Sequence, residues 1–216
     1  ESVEIPVGTS LYIEPGVTIT CKSDVQVPIE IVVLGNLYCM GTTEHPVTFT
    51  SDTKKTEDWG GIICGYNSQE VVLNHVDLAY AGATPTESSA SFQNHLFKST
   101  IDGGVPAFHF CNVNGKFVMA NCFLHDNYND QTYFTGGQGV IYNCIFADNG
   151  NATDGGEAIN VKAGCKLDIA NNIIYNACTN AFKLSNSGNS ELIPLTQLTA
   201  YNNTIVNCGW RRAKNK

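Results

Sequence analysis

A chain of 216 residues, 43% of them apolar, can bury roughly 70% of its unfolded surface as one domain, so a sizeable core is available. Twelve Lys and Arg against twenty Asp and Glu leave a net charge of −8, which argues against nucleic acid as a partner because phosphate binding needs a positive field. No apolar run is long enough to span a bilayer, and polarity comes mostly from Asn, Gly, Thr and Ser, a balance that suits stacked β-structure with many turns.

In chain order, residues 11–19 read as two short strands around a Pro15-Gly16 bend. Residues 31–40 and 47–50 alternate at period two, as half-buried strands do. A polar excursion over 52–58 precedes the strand-like stretches 59–64 and 71–78. No stretch keeps a period of 3.6 over three turns, so helix should be scarce. Nine cysteines are an odd number in a chain too long to need stapling, and no CxxC or Cys/His zinc spacing occurs. Cys21, Cys39 and Cys64 follow apolar residues at strand spacing, as small inward residues would. Most of the nine are therefore expected to be buried free thiols, with Cys178 to Cys208 the one pairing to entertain.

From residue 105 onward a seven-residue phrase dominates, opening at Asn121, Asn143, Asn171 and Asn202. Each copy starts on Asn and carries Asp or Asn at its sixth place. Looser relatives start at Asn74 and Lys98. The segments between them align as three strand columns: 108–110, 133–134, 159–161 and 182–184 in the first, 117–120, 140–142, 167–170 and 198–201 in the second, the phrase itself in the third. Repeats of 22 to 31 residues whose length differences fall in loops predict an all-β, right-handed parallel β-helix. Eight or nine coils spaced about 4.8 Å apart would make a rod on the order of 40 Å long. Residues 1–216 read as one β-helix domain without a C-terminal cap, part of a longer solenoid. The second place of the phrase, Cys122, Cys144, Asn172 and Asn203, is expected to point inward as one ladder of thiols and bonded amides.

With the columns placed, the sequence resembles the pectate-lyase-like right-handed β-helix superfamily, and within it the large exported β-helix proteins of Bacteroidetes. The likeness rests on Leu-Tyr-Ile-Glu-Pro-Gly at 11–16, the stretch 35–51, Asp-Trp-Gly-Gly-Ile at 58–62 and the Asn-Asn-Thr-Ile-Val-Asn phrase, and it covers nearly the whole chain. The resemblance implies a protein that is secreted or on the outer cell surface, with an export or lipid-anchor signal upstream of residue 1 and further coils beyond residue 216.

Enzymes of this superfamily commonly work on the outer face of the first strand column. Alternation there aims His109, Tyr133, Asn160 and Lys183 outward at neighbouring levels. Tyr133 or Lys183 as base, His109 as its partner and Asn160 as carboxylate neutraliser would suit a polysaccharide lyase. The plainer reading is a solvated strand face. It is strengthened by two departures: the only arginines, Arg211 and Arg212, lie in the terminal tail, and the hydrolase motifs Asn-Thr-Asp, Asp-Asp and Gly-His-Gly are missing. A calcium site is a weaker candidate, from Asp126 and Asp148 at one phrase position and Asp130 and Asp154 in the following loops, although Asp is also an ordinary turn residue. No other cofactor is implied. Trp59, beside Gly60 and Gly61, reads as a packing residue rather than a sugar platform. The expected function is recognition of glycans or another extracellular ligand without catalysis in this segment. The alternatives are a polysaccharide lyase or glycoside hydrolase acting on acidic polysaccharide, and a structural stalk or adhesin.

Overall fold

The computed structural model describes residues 1–96, 105–150, 155–186 and 195–209. Lys98, Asp154 and the tail from 210 onward, including Arg211 and Arg212, lie outside them. Each coil contributes three strands. The first three coils hold β1 (Val3–Ile5), β2 (Ser10–Ile13), β3 (Thr18–Cys21), β4 (Glu30–Val33), β5 (Asn36–Met40), β6 (Val47–Ser51), β7 (Gly61–Cys64), β8 (Glu70–Asn74) and β9 (Val76–Ala79). After one short helix, α1 (Ala90–Gln93), come β10 (Phe108–Phe110), β11 (Lys116–Ala120), β12 (Phe123–His125), β13 (Thr132–Phe134), β14 (Gln138–Tyr142) and β15 (Ile145–Ala147). The last two coils hold β16 (Glu157–Val161), β17 (Lys166–Ala170), β18 (Ile173–Tyr175), β19 (Asn180–Leu184), β20 (Gln197–Tyr201) and β21 (Thr204–Val206).

These strands form three seven-stranded parallel sheets: A is β1-β4-β7-β10-β13-β16-β19, B is β2-β5-β8-β11-β14-β17-β20, and C is β3-β6-β9-β12-β15-β18-β21. This is the right-handed parallel β-helix that the repeat predicts, with the three strand columns in the expected register. Successive rungs stack like residues inward. Sheet C places Ile19, Phe49, Leu78, Leu124, Phe146, Ile174 and Ile205 in one register line. Aromatic rings fill the middle of the core, with Phe117 stacked on Phe134 at 4.4 Å and Phe110 tilted against Phe117 at 5.1 Å. Trp59 is fully buried and donates Nε1–H to the Ala79 carbonyl at 2.8 Å, so its role is packing.

Two expectations need correction. The described residues form seven rungs, not eight or nine, with β8 paired directly to β11 and β9 to β12. The residue of the third coil equivalent to Asn121 is His75, one place beyond Asn74. Backbone geometry explains both the Asn rule and this exception. His75, Asn121, Asn143, Asn171 and Asn202 hold φ between 50° and 57°, and the sixth-place residues Tyr80, Asp126, Asp148, Asn176 and Asn207 hold φ between 49° and 66°. Left-handed backbone is costly for most L-residues and least so for Asn and Asp, so the phrase repeats two bends rather than a ligand set.

The inward ladder is formed as expected. Asn172 donates Nδ2–H to Asn203 Oδ1 at 2.9 Å, and its Oδ1 accepts the Cys144 N–H at 2.8 Å. All nine cysteines are free thiols, eight of them buried, so Cys178 and Cys208 are not bridged.

Candidate functional site

The first-column residues do form one line: His109, Tyr133, Asn160 and Lys183 are paired in register on the outer side of sheet A. They are not a solvated face. His109 is 0% and Asn160 1% exposed, while Tyr133 is half-buried and the Lys183 side chain 36% exposed. The line continues through Val32 and Ile63 in the earlier coils, which pack with Leu96 and Val105 into a second, smaller apolar cluster. That cluster exists because the excursion between sheets C and A in the third coil lies across this face. Its Ser91 donates both N–H and Oγ–H to the buried Glu30, at 2.8 and 2.6 Å. Beyond these two apolar rungs the line turns polar at His109.

Around His109 the polar groups form a network with a carboxyl pair at its centre. His109 Nε2 lies 3.2 Å from Thr135 Oγ1, and its ring meets the Tyr133 ring edge-on at 5.7 Å. Asp130, 4% exposed, accepts the backbone N–H groups of Gly156 and Glu157 on Oδ1 and the Asn160 amide on Oδ2. Burial first, then its hydrogen bond to the neighbouring Glu157 carboxylate, pushes the Asp130 carboxyl up to about 7. Burial also works against the charge on Glu157, but bonds from Asp130 and Lys183 outweigh it and hold Glu157 down at about 2. The two carboxyls therefore titrate as a pair, with Asp130 raised and Glu157 lowered. Glu157 Oε1 takes the Lys183 ammonium at 2.9 Å and the Asn180 amide at 3.0 Å.

The half-buried rim of this network is cationic. The Lys162 ammonium sits 4.8 Å from the centre of the Tyr133 ring, a cation–π contact. Burial, then repulsion from Lys183, lowers the Lys162 pKa. Burial, then the Asp130 charge, pushes the Tyr133 phenol up to about 12. Burial thus favours the protonated Tyr133 phenol, and the Lys183 ammonium is engaged by Glu157. Glu157 escaped sequence reading because the column was started at Ile159; extending it towards the strand's first residue, opposite Asn180, would have found it.

Of the calcium candidates, Asp126 and Asp148 stand at the same bend on adjacent rungs, as expected, while Asp154 lies outside the described residues. Asp148 and Asn176 continue as an amide ladder, with Asn176 Nδ2–H on Asp148 Oδ1 at 2.7 Å and Asn207 repeating the bond one rung on. Asp126 accepts from His125 Nδ1 at 2.7 Å, and Asp130 belongs to the sheet A network. Among the described residues no three His, Cys, Asp or Glu side chains converge as a metal-holding group. His125 was itself missed. Its Nε2 meets Asp77 Oδ1 at 3.0 Å, its ring stacks on Phe123 at 4.1 Å, and Tyr80 approaches edge-on at 5.9 Å. Burial disfavours the imidazolium, but the two flanking carboxylates prevail and raise its pKa. Aligning the phrase on His75 would have set Asp77 opposite Phe123 and exposed the cluster.

Fold and site together define a parallel β-helix with a buried acid network under a cationic rim. Residues 2–94 match the family model of the pectate-lyase-like β-helix domain. The matched segment holds the first three coils; the same three sheets carry the architecture on through the remaining four, where the network lies. No curated protein and no solved structure matches the chain. No described helix is long and apolar enough to cross a membrane.

Proposed function

We propose that this is a secreted or surface-attached β-helix that binds an acidic glycan on the outer side of sheet A. The observation that carries the reading is the rim of Tyr133, Lys162 and Lys183 over a fixed network. Two ammonium groups near enough for one to depress the pKa of the other are stabilised by an anion between them. A sugar carboxylate supplies that charge, and the Tyr133 hydroxyl suits a ring hydroxyl. The buried Asp130, Glu157 and Asn160 act as foundations, holding Lys183 in place before ligand arrives. Calorimetric titration with hexagalacturonate, against a neutral cello-oligosaccharide, tests this. Binding confined to the acidic sugar and weakened roughly tenfold by Lys162→Ala with Lys183→Ala supports it. Equal affinity for both sugars, or no change in the variant, counts against it.

A second reading, catalysis on the same polysaccharide, is favoured by one observation. A carboxyl held near 7 beside an ionised one is the usual arrangement for proton transfer at neutral pH. If the protein is a lyase, unsaturated product accumulates at their ultraviolet absorbance and Asp130→Asn abolishes it; silence across acidic polysaccharides leaves binding as the function.

A further inference from the structure

The outer side of sheet B carries a feature that the sheet A reading does not use. In its inward register line stand Leu11, Leu37, Val71, Phe117, Gly139, Leu167 and Leu198, so one rung lacks a side chain. A Cβ on Gly139 would fall 2.4 Å from the Phe117 carbonyl oxygen and 2.5 Å from its ring. β14 therefore runs closer to the core than a side chain would allow, and the surface above it is concave. The depression has a volume of about 360 Å³. Val118 and Val140 line it, with Lys116 and Lys166 on one edge and Asp168 at a far corner. A smaller one of about 230 Å³, sharing Gln138 and Lys166, adjoins it along the bends at Gly115, Gly137 and Gly164.

Charge says what fits. Lys116, Gln138 and Lys166 are register partners on successive rungs, so the two lysines stand about 10 Å apart with an uncharged side chain between them. Neither makes an ion pair with a described residue. The acidic residue on the next rung beyond Lys116, Glu70, instead accepts the Tyr38 hydroxyl at 2.7 Å. Two free cations across a concavity, on a chain of net charge −8, mark a place for anionic groups. The neighbouring outward line, Tyr12, Tyr38, Val72, Val118 and Val140, forms a weakly polar track along the helix axis, with Tyr12 64% exposed and stacked on Tyr38 at 4.6 Å. Rung pitch along that track, about 4.8 Å, is close to the length of one pyranose unit.

The geometry points to a second glycan site here, independent of the one on sheet A: an acidic polysaccharide strand lies along sheet B, its carboxylates on Lys116 and Lys166, its C–H faces on Val118 and Val140, and a hydroxyl on Asp168. Lys116→Gln with Lys166→Gln tests it, since both side chains are exposed and the fold can be checked by thermal unfolding. Hexagalacturonate is titrated into the wild type, this variant and the Lys162→Ala, Lys183→Ala variant, with amide chemical shifts followed by NMR. Expected is a roughly tenfold loss of affinity at sheet B, with shifts at Gly139 and Val140 disappearing in the Gln variant and persisting in the Ala variant. Unchanged shifts at Gly139 and Val140 in the Gln variant, no shifts there in the wild type, or their loss in the Ala variant overturns the sheet B site. Ligand-induced shifts at Gly139 and Val140 with none around Tyr133 and Lys183 in the wild type would sink the preceding reading and leave this one standing.

Discussion

Replacing Asp130 by Asn tests the shared proton. The Asp130 carboxyl is raised from 3.8 to about 7, so between those values the folded protein holds a proton that the unfolded chain has released. A folded state that binds more protons loses stability as pH rises. A shift of about three pH units, at about 1.4 kcal/mol each, makes that loss on the order of 4 kcal/mol. Glu157 acts in the opposite sense: held down at about 2, it contributes stability that is present above 4.5 and lost as pH falls towards 2. The combined contribution of these two carboxyls should therefore peak at about pH 4 to 5. In Asp130→Asn the amide oxygen can keep the Gly156 and Glu157 N–H bonds, and the new NH₂ can donate to Glu157. Asn160, whose Oδ1 has no hydrogen-bond partner, can turn its amide to accept the other hydrogen. Urea unfolding measured between about pH 4.5 and 6.5, below the range where His125 titrates, should show a falling slope in the wild type that becomes shallower in the variant, the remainder coming from Glu30, whose carboxyl burial also raises. A flat wild-type profile, or a variant whose slope is as steep as the wild type's, would refute the shared proton.

Asn172→Ala should destabilise by about 2 to 5 kcal/mol in denaturant, because it orphans the buried Cys144 N–H and the Ile141 carbonyl, whereas Asn172→Cys, which repeats the thiol already at Cys144, should cost less. His125 contributes stability in the other pH range: with its folded pKa above 6.5, the clamp by Asp77 and Asp126 is fully present below 6.5 and lost as pH rises through the folded value. Proton NMR of the imidazole should place its midpoint above 6.5, and His125→Gln should remove that part of the pH dependence; a midpoint below 6.5 would contradict the clamp.

The repeated phrase was sufficient for the fold because its cause is local. Asn at its first place and Asp or Asn at its sixth are the residues that tolerate left-handed backbone, and two such bends in each of the last four coils set the sheet B to sheet C turn and the exit from sheet C. Period-two alternation then fixed the strand register, so His109, Tyr133, Asn160 and Lys183 fell into line from the sequence alone. What alternation cannot say is whether an outward residue meets water. His109 and Asn160 point away from the core and are still buried, because side chains from neighbouring rungs and loops close over them. Nor can it bring Asp130, from a bend, onto Glu157, the first residue of the strand one rung on; that contact depends on how the rungs stack. Gly139 is the same lesson on the opposite scale: in sequence it is one glycine in a strand, and only the stack above and below makes it a hollow. Backbone preference acts within a few residues and is written in the chain. Burial, shared protons and surface shape depend on which rungs and loops become neighbours, and the tertiary structure alone decides them.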